Sequence, residues 1–498
     1  MKNPTFRIVL SALAVLLLIT GSALAIDQET ATGQTPPGPK PAKEIHFPPF
    51  EEKTLANGLR LVVIEQHETP SVTLRLQVPG GRVHVQPAKA GVADATAELL
   101  REGTASRTSQ QIAQAIDSIG GDLGAAAALE SAYVTANVTA DQLDLALDLL
   151  ADVVLRPSFP AEELERWRNQ TLSDLQIQLT DPGYVAYVAF VRAVHGDHPY
   201  GNPTSGTPES VQALTREDMV AFHQRQYQPN QSILAIVGDV RAADAFARAE
   251  RALGGWKKGE EVRIPAVKPA EAQRRIVVID KPDAVQTQIQ AGQIAIAYRD
   301  PDHFTAEVYD AIVGSSANSR LFDEVRRKRG LAYGAGSEFR MPSEPSYFVA
   351  NTSTKTESTV EALGVMLDVL ESMEKPVPAA ELAERKMYLT GAFPLEIETP
   401  QGIAGKVLEA LKFGYDRDFL ESYRDRLGAV TAVQVQSFAE RRIHPDRMLI
   451  VLVGNAKAFA AELEKRFGRF ETIPMAEIDL LQPALRKAQE QEKPARER

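Results

Sequence analysis

The sequence predicts an α+β chain built from two related halves, each a mainly antiparallel sheet covered by helices, and three observations carry that expectation. Hairpin signals and alternating strands are mixed with helical periodicity, without the strict strand-helix alternation that a parallel sheet needs. The order of elements repeats at a nearly constant spacing. At 498 residues, 44% of them hydrophobic, the chain holds apolar material for two or more cores.

The first half starts near Phe50. Asn57-Gly58 is a hairpin signal before the apolar strand 59–64, and Val72, Leu74, Leu76 and Val78 then alternate with polar residues up to the Gly80-Gly81 turn. Helical patterns follow over Gly91 to Glu102 and Ser109 to Ile119, then a Gly120-Gly121 break and a strand over 133–138. Two longer amphipathic patterns, Asp141 to Leu155 and Pro160 to Leu179, precede a strand over 232–238.

The charged, proline-marked stretch 257–275 reads as a linker, and after it the pattern recurs. Thr215 to Phe222, Pro229 and Gly238 have counterparts 216 residues on, at Thr431 to Phe438, Pro445 and Gly454. Tyr133-x-x-Ala136-Asn137 recurs at Tyr347-x-x-Ala350-Asn351, and Pro160-Ala161-Glu162-Glu163-Leu164 at Pro378-Ala379-Ala380-Glu381-Leu382. Small drifts in the spacing are what loop insertions produce. The expected layout is therefore a first domain over 46–256, a linker over 257–275, a second domain over 276–480 and a charged, loose tail over 481–498.

The N-terminus has the layout of a cleaved secretory signal over 1–25: basic Lys2 and Arg7, an apolar run from Ile8 to Ile19, and Ala23-Leu24-Ala25. The apolar run is short for an uncleaved anchor, which needs ~20 residues to span a bilayer. A flexible lead-in over 26–45 would follow, and the expected location is the periplasm. Cysteine is absent, which excludes disulfides, thiol catalysis, thiolate metal ligands and a lipidated cysteine. Loss of Lys2 and Arg7 with the signal takes the net charge from −11 to −13, which disfavours nucleic acid or an anionic membrane as a bulk partner.

The stretch Gly91 to Thr104 carries the main functional question. A zinc helix needs two imidazoles at i and i+4 and a carboxylate base beside them. This stretch resembles the H-x-x-E-H helix of the pitrilysin/insulinase zinc metallopeptidases, with the same small-residue start and Gly103-Thr104 ending. The resemblance puts Asp94 and Glu98 where that family has its histidines and Ala97 where it has the general base. It puts Asp174, 76 residues beyond Glu98, at or beside the third ligand.

Ala97 accepts no proton, and loss of a general base costs ~10²–10⁴ in rate. The slots read as a degenerate zinc site; an all-carboxylate site for a harder ion, built from Asp94, Glu98 and Asp174, is the competing reading. A third is that these are plain solvated acids. His195-Gly196-Asp197-His198 reads as a turn rather than a metal site, and no other zinc-helix motif occurs.

The segment Ser319 to Tyr333 is similar to the part of the same family in which an Arg and a Tyr seven residues later hold the substrate backbone near the zinc of the other half. Arg326 and Tyr333 take those places, with Arg329 the nearer alternative for the cation. Without that role the segment is a solvated basic helix face with Tyr333 packed in the core.

The resemblance extends from about Phe50 to Phe470 and implies two halves of the mitochondrial-processing-peptidase-like metallohydrolase fold. It further implies a substrate-gripping subunit with no catalytic residue or cofactor of its own, paired with a zinc-bearing H-x-x-E-H chain to degrade peptides. A peptide-binding or scaffolding protein without such a partner, and a stand-alone metallohydrolase with a carboxylate metal site, are the rival functions.

Overall fold

The computed structural model describes residues 45–268 and 273–487. The expected signal, all but the end of the expected lead-in, and residues 488–498 of the expected tail lie outside the described residues.

In the first half, six strands form one sheet: β1 (Glu51–Thr54), β2 (Arg60–Glu65), β3 (Ser71–Val78), β4 (Asp122–Ala127), β5 (Ala132–Thr139) and β6 (Ile233–Gly238), ordered β1-β2-β6-β3-β5-β4. Only β2 and β6 run parallel. The Asn57-Gly58 turn joins β1 to β2 as expected. Gly58 has φ +87°, and a Cβ there would sit 2.8 Å from that of Asn230, so a side chain is excluded twice over. The helices of this half are α1 (Val92–Leu99), α2 (Ser109–Asp117), α3 (Leu143–Leu155), α4 (Ala161–Gln178), α5 (Pro182–His195), α6 (Pro208–Gln212), α7 (Arg216–Gln226) and α8 (Ala242–Leu253).

The second half repeats the first. It comprises β7 (Arg275–Asp280), β8 (Gln286–Ile294), α9 (His303–Val313), a π-helical segment (Phe322–Lys328), β9 (Ala332–Phe339), β10 (Tyr347–Lys355) and α10 (Thr359–Glu371). Then come α11 (Ala379–Glu396), α12 (Pro400–Lys412), α13 (Arg417–Ala429), α14 (Ala432–Arg442), β11 (Leu449–Gly454), α15 (Ala456–Phe467) and β12 (Glu471–Pro474). The sheet order is β12-β7-β11-β8-β10-β9.

The repeated residues occupy equivalent places. Thr215 and Thr431 both close capping boxes, at the starts of α7 and α14, and Pro160 and Pro378 both precede the long helices α4 and α11. The halves differ at one edge, where β1 lies antiparallel to β2 but β12 lies parallel to β7.

Two helices are exchanged between the halves. α5 belongs to the first half in sequence but packs on β8 and β11 of the second sheet, while α12 of the second half packs on β3 and β6 of the first. The α5 contact is apolar: Val185, Ala189 and Phe190 join Val277, Val349 and Val451 in one buried cluster. Gly292 makes room for it, since a Cβ there would fall 2.7 Å from Phe190 Cζ. Each sheet is thus covered on one face by a helix from the other half.

A buried polar junction adds to this. Glu130, in the β4–β5 turn and only 4% exposed, accepts hydrogen bonds from the Tyr200 hydroxyl and Lys412 Nζ, and from Ser343 N and Oγ at 2.9 and 3.0 Å. Tyr200 comes from the first half; Ser343 and Lys412 come from the second. Burial alone would raise the Glu130 carboxyl, but the Lys412 charge and the donated hydrogen bonds outweigh it and hold the group below its usual range.

Two segments are more ordered than the sequence suggested. Part of the linker is fastened to the first half: Gln231 bonds Val262 through both N and O at 2.6 and 2.9 Å, and His198 bonds the Pro265 carbonyl at 2.8 Å. The start of the expected loose tail also packs. Leu485 is fully buried among Val277, Val451 and Ile473, because the tail opens with the uncharged stretch Leu481 to Leu485 before its charges begin, and Leu485 joins that cluster.

Candidate functional site

α1 is framed as the sequence suggests. Gly91, at φ +99°, precedes it, and Gly103, at φ +145°, follows. Every residue of the helix except Glu98 is buried, with Ala97 in the core.

Asp94 is 8% exposed and is held by a guanidinium fork: Arg82 Nη2 donates to Oδ1 at 2.6 Å and Arg82 Nε to Oδ2 at 2.9 Å. Burial pushes the Asp94 carboxyl above its ordinary range, and the Arg82 hydrogen bonds and charge offset only part of that. Arg82 opens the short turn Arg82–His84 just after the Gly80-Gly81 pair. A Cβ on Gly81 would lie 2.1 Å from the Glu130 carbonyl carbon, so glycine is what lets the chain pass there and aim Arg82 at α1.

Glu98 is exposed and accepts from Trp167 Nε1, on α4, at 3.0 Å. Crowding by the surrounding protein, then the charge of Asp94, raises its carboxyl. Asp174 lies farther along α4, exposed, and accepts from Gln170 Nε2 at 2.9 Å.

Each of these acids therefore has a partner other than its fellows. Among the described residues no group of three or more His, Asp or Glu is placed to hold a metal ion. The residues present do not fit the zinc that the framing implies: both imidazoles are missing, Ala97 has no proton acceptor, and a fixed cation, Arg82, already neutralises Asp94. Arg82 is the residue that sequence reasoning missed. The available signal was chemical: an Asp on a buried helix face calls for a cation, and Arg82 is a nearby one in sequence.

The second segment is open to solvent. The π-helical stretch Phe322–Lys328 carries Arg326 next to β9, an edge strand whose Tyr333 is 87% exposed rather than packed in the core. The Arg326 guanidinium lies 4.9 Å from the centre of the Phe322 ring and 5.8 Å from that of Tyr333, within cation–π range of ~6 Å for both.

The neighbouring cations are occupied. Lys328 pairs with Glu324 at 2.6 Å and Asp323 at 2.9 Å, Arg329 pairs with Glu324, and Arg327 lies 3.6 Å from Asp323. Among the described residues Arg326 alone of the four has no carboxylate partner, which separates it from Arg329. A guanidinium and a phenol presented together can both donate to a peptide carbonyl.

The paired histidines serve structure. His195 is buried and bridges the Val191 carbonyl and Ser346 Oγ at 2.9 and 3.0 Å, with burial pushing its ring down to about 4. His198 Nδ1 accepts from the Tyr200 amide at 3.2 Å, closing the turn.

Comparisons with known proteins agree with this architecture. Residues 60–207 match the model for insulinase (peptidase family M16), and residues 213–389 match that for the peptidase M16 inactive domain. A curated protein of Mycobacterium leprae, named an uncharacterized zinc protease, is 30% identical over 399 residues, covering 78% of this chain and 88% of its own. One of Mycobacterium tuberculosis H37Rv with the same kind of name is 30% identical over 392 residues, with 78% and 89% covered.

Among solved structures, a peptidase M16 inactive domain from Pseudomonas fluorescens superposes with a TM-score of 0.76 at 28% identity, covering 81% of this chain and 98% of that one. A protease from Helicobacter pylori shares the fold at a TM-score of 0.75 and 20% identity, with 82% and 99% covered. The chain belongs to peptidase family M16, the insulinase/pitrilysin family, as a non-catalytic type of member in which the H-x-x-E-H ligands are replaced.

Proposed function

We propose that this chain is the substrate-gripping subunit of a periplasmic M16 peptidase. It pairs with a zinc-bearing H-x-x-E-H chain, in which the zinc and the general base reside, and together they degrade peptides. The observation that carries the reading is the contrast between the two segments. The helix that frames a zinc site has its cation slot filled by Arg82, whereas Arg326 and Tyr333 stand exposed, side by side and uncommitted.

In this reading Arg326 and Tyr333 hold the substrate backbone and donate to its carbonyl, sharing the charge that develops there during hydrolysis; the zinc of the partner chain would supply the activated water. A signal at 1–25 would deliver the chain to the periplasm.

Mixing the purified chain with an H-x-x-E-H member of the same genome tests this. The expected result is co-elution and hydrolysis of a fluorogenic peptide that neither chain gives alone. Removal of one donor to developing charge costs roughly 10²–10³ in kcat, so Tyr333→Phe and Arg326→Ala should each lose a good part of that. Hydrolysis indifferent to both substitutions would remove the grip, and failure to associate would favour a peptide-holding protein. Stoichiometric metal and chelator-sensitive cleavage by the chain alone would favour the stand-alone hydrolase.

A further inference from the structure

Between the halves lies a cavity of roughly 360 Å³, near the lower end of ligand pockets at ~300–1,000 Å³. The β4–β5 turn of the first half forms one wall, and α9, α12 and the β9–β10 loop of the second half form the others.

Its floor is aromatic and its polar groups are incompletely paired. Tyr298 stacks on Phe413 with ring centres 3.9 Å apart, and the His303 ring lies 4.4 Å from that of Tyr298. His303 is 3% exposed, and neither ring nitrogen makes a hydrogen bond; Nε2 is 3.1 Å from Glu307 Oε1, but off the bonding direction. Glu307 itself is engaged by the Tyr423 hydroxyl at 2.8 Å. A buried imidazole without a hydrogen bond at either nitrogen is costly, which marks it as able to take one from a ligand.

Two charges at the lining are also incompletely compensated. Glu409 has Lys406 as its nearest cation at 3.7 Å, and Lys406 is closer to Glu396, at 2.6 Å. Arg340 has no carboxylate partner among the described residues. The remaining pair, Glu130 with Lys412, satisfies itself. Burial first, then Glu409 and Glu307, keeps the Tyr298 phenol well above its ordinary range, so these carboxylates act on the aromatic floor.

We propose that this inter-half cavity binds a free dipeptide with an apolar or aromatic side chain. The half-compensated anion, sharing its one lysine with Glu396, and the unpaired cation suit the two ends of a zwitterion: Glu409 takes the ammonium and Arg340 the carboxylate. The Tyr298 and Phe413 rings receive the side chain, and His303 supplies the missing hydrogen bond to the ligand amide. The volume suits one or two residues. The inference stands apart from the pairing proposed above, since it needs neither Arg326 nor a second chain.

Calorimetric titration of the full chain with Ala-Phe, and with N-acetyl-Ala-Phe-amide, tests it. The expected result is submillimolar binding of Ala-Phe, weakened about tenfold or more by Glu409→Gln, by Arg340→Gln and by blocking both termini. Arg340 is exposed and Glu409 half-buried, and thermal melts confirm that the variants fold. The assignment is overturned by no binding of Ala-Phe at millimolar concentration, by equal binding of the blocked peptide, or by binding unchanged in both variants.

Discussion

Arg82 closes on Asp94 with two nitrogens, at 2.6 and 2.9 Å, on the face of α1 that frames a zinc site elsewhere in the family. The carboxylate is buried, so its charge is compensated locally rather than by solvent. Breaking a buried ion pair from one side costs ~3–5 kcal/mol, and because Arg82 keeps some exposure the expected loss for Arg82→Ala is about 3 kcal/mol. Urea unfolding measures it. Asp94→Asn added to Arg82→Ala should recover much of the loss; if the double variant is as unstable as the single, the fork is not what Asp94 requires.

The same guanidinium predicts the outcome of rebuilding the metal site. Asp94→His, Ala97→Glu, Glu98→His and Asp174→Glu together restore the ligand types, but Arg82 then stands beside a dication. Unit charges ~4 Å apart repel by roughly 4 kcal/mol at an effective dielectric of ~20, more than a hundredfold in affinity. The fourfold variant should hold little zinc after dialysis, and adding Arg82→Ala should bring it towards one equivalent. Metal analysis by mass spectrometry decides this; one equivalent with Arg82 retained would show that the arginine is no barrier.

The halves, their order of elements and the framing of α1 were legible because periodicity, glycine turns and capping residues act locally. Thr215 and Thr431 cap their helices whatever the rest of the chain does. The helix exchange was not legible. α5 carries Val185, Val188, Ala189 and Phe190 on its buried face, and that pattern says only that some apolar surface covers it, not whose. β4, rich in small residues (Asp122-Leu123-Gly124-Ala125-Ala126-Ala127), has too little branched or aromatic character to read as a strand, and pairing with β5 creates it. At the candidate site, counting seven residues back from Tyr333 named Arg326 but left Arg329 as the nearer alternative; ion pairs formed in three dimensions separate the two.

Exchange of α5 makes one side chain answerable for both halves. Phe190 is fully buried against the second sheet, over Gly292, so Phe190→Ala should cost ~3–5 kcal/mol. Because the helix belongs to the first half in sequence, the loss should appear in the second: amides of β8 and β11 should exchange faster with deuterium. Faster exchange confined to β3 and β6 would contradict the exchanged packing.

Lys412 reaches the first half through Glu130, whose carboxyl is held below its usual range, so the sign of its pH effect follows. A carboxyl depressed in the folded state stabilises above the unfolded pKa, near 4.5, and that contribution is lost as pH falls through the lower folded value. Lys412→Ala leaves Glu130 buried with Tyr200 and Ser343 as its remaining donors. It should cost ~3 kcal/mol at pH 7 and less towards pH 4, where protonation spares the unpaired charge. Thermal melts across that range read it; a cost independent of pH would mean that Lys412 acts by packing alone.

Asp310, on α9, gives the opposite sign. It is buried, and burial pushes its carboxyl up to about 7 despite the hydrogen bond that Ser337 Oγ donates to it at 2.5 Å. The unfolded chain releases this proton near 3.8 while the folded chain keeps it until about 7. Between those values the folded state therefore binds more protons, and stability falls as pH rises, by roughly 2–4 kcal/mol across the window. Asp310→Asn keeps an oxygen to accept from Ser337 and removes the titration. The variant should match the parent near pH 4 and exceed it at pH 8, with the difference opening between the two, as measured by urea unfolding at a series of pH values. A parent whose advantage over the variant grows with pH would show that the carboxylate is the form the fold is built to hold.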